Sequence, residues 1–104
     1  VSGVRGAEQA VTVRVSVLDL DRRIAVVRAE DNGYDTFPHV LRGTLAAMFA
    51  EATWHVVVAF DDDQPPRREV ADVLDQARIW SRERRCRLTV TTRDDLGDVT
   101  AREA

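Results

Sequence analysis

Three consecutive aspartates, Asp61 to Asp63, are the densest candidate chemistry in the chain. They follow an apolar run of strand-forming residues, and in open α/β sheets ligands bind beyond the carboxyl ends of the strands. Carboxylates gathered there suit a hard divalent cation such as Mg²⁺. The arrangement is similar to the acidic pocket of response-regulator receiver domains. A receiver also needs a further acid pair early in the chain and a lysine, and this chain has no lysine. Consecutive residues on an extended chain also point alternately, so three of them cannot all ligate one ion. A solvated acidic turn is the simpler reading.

The other reactive side chains are sparse. His39 falls at the start of a helical stretch and His55 at the start of a strand, and neither has a Ser or Cys nucleophile close in sequence. Cys86 stands between Arg85 and Arg87, whose charges are expected to lower its pKa and favour thiolate. It also sits where a helix gives way to a strand, a place that simply needs a small residue. Arg78, Arg82, Arg84, Arg85 and Arg87 gather at the end of the same helix. Cations there complement the helix dipole, worth about 0.3–1 kcal/mol each when exposed. That role accounts for them better than an RNA or lipid patch. The glycines are too few and wrongly placed for a phosphate loop. Nothing commits the chain to catalysis, and no cofactor or metal is called for.

Composition narrows the class. The chain has 104 residues, 44% hydrophobic and 32% charged, enough for one modest core and too short for a two-domain enzyme. A net charge of −3 argues against general nucleic-acid binding. One cysteine leaves neither an intramolecular disulfide nor a Cys-based zinc site. No apolar run reaches the ~18–20 residues of a membrane span, and the opening residues lack a signal-peptide pattern. All 15 basic residues are arginine, which reads as the codon bias of a GC-rich genome. Together these set the expectation of a bacterial, cytoplasmic protein.

The elements that must position these residues follow from periodicity. Residues 1–10 lack periodicity and read as a flexible N-terminus. Val11, Val13, Val15 and Val17 alternate with polar residues, predicting a half-buried strand. A short polar turn over Asp19 to Arg23 leads into a second, antiparallel strand, RIAVVRAE. Asn32-Gly33 suits a turn with positive φ. Thr36 can cap the helix that follows, with Pro38 in its first turn. Leu41, Leu45, Met48 and Ala52 form that helix's apolar stripe, with Thr44 and Phe49 flanking it. The run Val56 to Phe60 has no polar alternation and predicts a central strand covered on both faces. A second helix is predicted over about Arg67 to Arg85, with Val70, Val73, Leu74, Ala77 and Trp80 inward and Ile79 exposed. Arg87 to Thr92 closes the series as a strand. The order β-β-α-β-α-β predicts an α/β fold with a mixed four-stranded sheet and both helices mainly on one face. The domain is expected over 11–95, with 96–104 as a C-terminal tail.

This order and spacing resemble the STAS domain, the fold of bacterial anti-sigma factor antagonists and of sulfate-transporter C-terminal domains. Thr36 and Pro38 match the family's Thr-x-Pro, which opens its first helix. Glu30 to Gly33 match poorly the Gly-Glu-Leu-Asp run that usually precedes it. HVVVAF is similar to the family's central strand, and ADVLDQARIWSRERRCRLTV to its second helix and fourth strand. The family's regulatory Asp-Ser-Ser-Gly opens the second helix. Counted back from Leu88, it falls on Arg67, Arg68, Glu69 and Val70, with the phospho-acceptor serine at Arg68. No Ser or Thr lies between Asp61 and Ala77. The family's last helix is missing or reduced after Thr92.

The resemblance implies a non-catalytic, protein-binding regulatory module for transcription, without serine phosphorylation at the usual site. Its partner would be an anti-sigma factor of the kinase-type fold. The expected binding surface comprises Asp61, Asp62, Asp63, Arg67, Arg68 and Glu69, flanked by Asn32, Asp35 and Thr36. A weak homodimer, through Ile79 or the sheet, is a further expectation. The alternative is a Mg²⁺-dependent receiver-like or small enzyme domain built on Asp61–Asp63.

Overall fold

The structure is a computed structural model and describes residues 13–51, 54–61 and 64–97. The expected N-terminus over 1–10, Val11 of the expected first strand, Ala52, Asp62, Asp63 and the tail beyond Gly97 lie outside the described residues. Among the described residues four strands and two helices follow in the order β-β-α-β-α-β. They are β1 (Val13–Asp19), β2 (Ile24–Ala29), α1 (Thr36–Glu51), β3 (His55–Phe60), α2 (Arg68–Glu83) and β4 (Arg87–Thr92). The sheet runs β1-β2-β3-β4. β1 pairs antiparallel with β2, while β2–β3 and β3–β4 are parallel. The two parallel steps each contain a helix, as a crossover requires.

Both helices pack on one face of the sheet. Phe37, Leu41, Leu45 and Phe49 of α1 meet Val70, Val73, Leu74 and Ala77 of α2 over Val27, Val56 and Val58. The buried row of α1 therefore steps by four residues from Phe37. Phe49 is central to it, Met48 packs only at its margin, and Thr44 is half-buried with its hydroxyl donating to the Val40 carbonyl at 2.8 Å. A stripe built on Leu41, Leu45 and Met48 misses this, because the i, i+4 ridge is the one laid across the sheet. Thr36 is the first residue of the helix itself, so the capping position falls to Asp35. On the opposite face Ile24, Val26, Val57 and Ala59 form a second buried cluster, against which Leu96 packs. Val56 to Ala59 are buried on both faces, as a central strand should be.

β1 departs from the sequence pattern. Val15 and Val17 face the helix side yet are 48% and 53% exposed, and only Val13 packs against the core. The alternation is present, but the helices cover the inner strands and leave this edge strand bare.

The end of α2 is a Schellman motif. The Cys86 amide donates to the Ser81 carbonyl at 2.7 Å and the Arg85 amide to that of Arg82 at 3.2 Å. Arg85 takes the left-handed φ of 56° that this closure demands. A side chain there costs energy that glycine avoids. Arg85→Gly is therefore expected to stabilise the fold by about 0.5–1 kcal/mol, after allowing for glycine's greater freedom when unfolded. Thermal unfolding checks this as a rise of a few degrees.

Candidate functional site

The site lies at the carboxyl ends of β2 and β3. Ala29 and Phe60 are the last paired residues of these strands, so Glu30 and Asp61 emerge side by side. The Glu30 carboxyl lies within reach to donate a hydrogen bond to Asp61 when protonated, and both residues are exposed. The bond to Asp61 and the negative charge of Asp61 raise the Glu30 pKa above its ordinary 4.5, against a smaller lowering by Arg14 and Arg93. A raised folded-state value means that this pair favours folding below the unfolded pKa, and the contribution is lost as pH rises through the folded value. An NMR titration of the Glu30 side chain is expected to give a midpoint above 4.5, falling back in Asp61→Asn.

Beyond Glu30 the chain closes on itself. Asp31 Oδ1 accepts the Gly33 amide at 2.9 Å and Asn32 Oδ1 the Tyr34 amide at 3.1 Å. Gly33 takes φ of 83°, as the Asn-Gly pair predicts. Arg67, just before α2, holds this loop. Its Nε donates to Asp31 Oδ2 at 2.9 Å, one terminal nitrogen donates to the Tyr34 carbonyl at 2.6 Å, and the other reaches that of Gly33 at 3.5 Å. A cleft of about 400 Å³ opens between the two loops, walled by Glu30, Asp31, Asp61, Pro65, Pro66 and Arg67. A second recess of about 360 Å³ lies between the helix starts, where Asp35 and His39 of the first face Glu69 and Asp72 of the second.

The structure thus gathers Asn32, Asp35, Thr36, Asp61, Arg67, Arg68 and Glu69 at one end of the molecule. Arg68 is the first residue of α2, and Glu69 lies in its first turn. Asp61 ends up beside Glu30, a neighbour that sequence does not suggest. Among the described residues no group of three or more His, Cys, Asp or Glu is placed to hold a metal ion.

Apart from His39, which lines the second recess, the other candidates stand elsewhere. His55 Nε2 lies 3.3 Å from Thr89 Oγ1 in the next strand, a contact within the sheet. His39 is exposed. Arg78 pairs with Asp75 at 3.2 Å, and Arg82 sits in the last turn of α2. Cys86 corrects its expectation. Burial pushes the thiol pKa up, and the lowering by Arg84 is smaller. Charge adjacent in sequence does not favour thiolate when the sulfur itself leaves water. Ile79 is exposed, as its helical phase predicts.

No helix among the described residues is long and apolar enough to cross a membrane. Compared with protein-family models, with curated proteins and with solved structures, the chain matches none.

Proposed function

We propose that this chain is a non-catalytic, protein-binding regulatory module of bacterial cytoplasm, similar to a STAS-type anti-sigma factor antagonist. Its partner is an anti-sigma factor of the kinase-type fold, and no nucleic acid, membrane or cofactor takes part. The observation that carries the reading is the gathering of the 31–36 loop, Asp61 and the start of α2 at one end of a β-β-α-β-α-β sheet. Arg68 stands at the helix-opening position where an antagonist would carry its serine. A phosphoserine there would gain from the helix dipole. A guanidinium neither accepts phosphate nor imitates it. Arg67 is a positioning residue, because its donors already hold the neighbouring loop. Asp35, Arg68 and Glu69 are exposed and form the contact surface with Asn32, Thr36 and Asp61.

Isothermal titration against each purified kinase-type anti-sigma factor of the same genome tests this. Saturable binding at about micromolar Kd or tighter is expected, weakened at least about tenfold by Glu69→Arg. Absence of binding to every one of them would remove the reading and leave only the fold.

One observation favours the second reading, a Mg²⁺-dependent receiver-like or small enzyme domain: the paired carboxyl groups of Glu30 and Asp61 at the strand ends. Trp80 is a poor reporter for it. That residue lies near Phe49 and Ala50, roughly 18 Å along α2 from its start at 1.5 Å per residue. The Gly33 amide is the better probe, and a saturable NMR shift there on adding Mg²⁺ would support this second reading.

A further inference from the structure

We propose that β1 is a self-complementary edge through which two copies of this chain join, continuing the sheet antiparallel across a two-fold axis at Ser16. Among the described residues β1 is hydrogen-bonded on one side only, to β2. Such an edge is a template for another strand; β1 holds no proline and no lysine, and its blunting features are the charges of Arg14 and Asp19 and the irregularity between Val17 and Asp19. Its helix-side residues Val15 and Val17 are β-branched and half exposed.

The register selects the occupant. Arg14 lies opposite Arg28 and Ser16 opposite Val26, both on the far face. The irregularity between Val17 and Asp19 shifts the count, so that Asp19 lies opposite Ile24 and joins Arg14 and Ser16 on that face. A copy turned about Ser16 therefore sets Arg14 opposite Asp19 of the second copy, twice over. It also sets Val15 opposite Val17 on the helix side, again twice. Like charges directly opposite are unfavourable, so Arg14 faces a repulsive neighbour in Arg28, offset within the chain by the attraction of Glu30. An acid on its open flank adds to that attraction, and among the described residues Asp19 is partnered by the adjacent turn, through the Arg22 amide at 3.0 Å and a 3.9 Å approach of its side chain. A valine-rich strand of unrelated sequence would cover the apolar residues but would lack the reciprocal charge match.

Sedimentation equilibrium across a wide concentration range, at low ionic strength, tests the proposal. A concentration-dependent dimer is expected. Arg14→Asp and Asp19→Arg each place like charges across the axis and should each weaken the dimer about tenfold or more. An equimolar mixture of the two variants restores both opposite-charge contacts and should recover a heterodimer near wild-type strength. Circular dichroism and melting of each variant confirm that it is folded before comparison. A wild-type chain that stays monomeric up to millimolar concentration would overturn the proposal. So would a dimer indifferent to both substitutions, which would place the contact elsewhere, for example at Ile79. Failure of the mixture to associate would overturn it as well.

Discussion

Phe49→Ala is expected to cost about 3–5 kcal/mol, the range for removing a buried aromatic side chain. Phe49 is 2% exposed and lies where α1 meets both α2 and the sheet. Truncation leaves a cavity that neighbours on three elements cannot all close. Domains of this size hold only about 5–15 kcal/mol of stability, so the loss is a large share. It should lower the melting temperature by roughly 15–30 °C, at about 4–8 °C per kcal/mol. The matched control is Val40→Ala in α1, at a half-exposed position outside the proposed strand edge, which should change stability by no more than about 0.5 kcal/mol. A core centred on Met48 predicts the opposite ranking for Phe49→Ala and Met48→Ala. Denaturant unfolding of the three variants decides between the two cores.

Arg67→Ala carries the second large effect, a loss of about 1–2 kcal/mol. The guanidinium bridges Asp31 and the Tyr34 carbonyl across a sequence separation of more than thirty residues, and each charged side chain is 28% exposed. Surface ion pairs are worth about 0–1 kcal/mol, so the ion pair alone would not justify the larger figure. The directed bonds to the loop carbonyl justify it, because the planar fork serves several acceptors at once. Arg67→Lys should therefore recover little. The distinguishing readout is local. Amide exchange at Gly33 and Tyr34 should quicken in Arg67→Ala, while exchange in the inner strands follows only the global loss of stability. A double-mutant cycle with Asp31→Ala should give a coupling of roughly 0.5–2 kcal/mol.

Much of the fold is legible in the residues. Val56 to Phe60 announces a strand covered on both sides because it lacks any polar alternation. The phase of Val70, Val73, Leu74 and Ala77 fixes the inner side of α2 and leaves Ile79 outside. β1 is misleading for a physical reason. Alternation states which residues share a face, but not whether another element lies over that face, and an edge strand can keep the pattern of a covered one. The site is less legible. Asp61 is visible as an acid beyond a strand, but its neighbour Glu30 comes from a strand whose register only pairing reveals. Asp31 and Arg67 are far apart in sequence, and an arginine beside a predicted helix looks like any surface cation. Cys86 shows the same limit in electrostatics, since sequence displays the adjacent charges and hides the loss of water at the sulfur.

The binding reading and the site geometry meet at Arg68. In a chain with a hydroxyl at that position, a kinase-type partner would switch binding by transferring phosphate. Here the account requires an interaction that phosphate transfer at that position cannot switch off. The most direct measurement incubates the chain with the proposed kinase-type partner, purified, and ATP, then reads the chain's intact mass and its affinity after repurification. The account predicts no added phosphate and an affinity unchanged within about twofold, whereas Arg68→Ser, treated in the same way, gains one phosphate and binds more weakly. A wild-type chain that gains phosphate and loses its partner would contradict it.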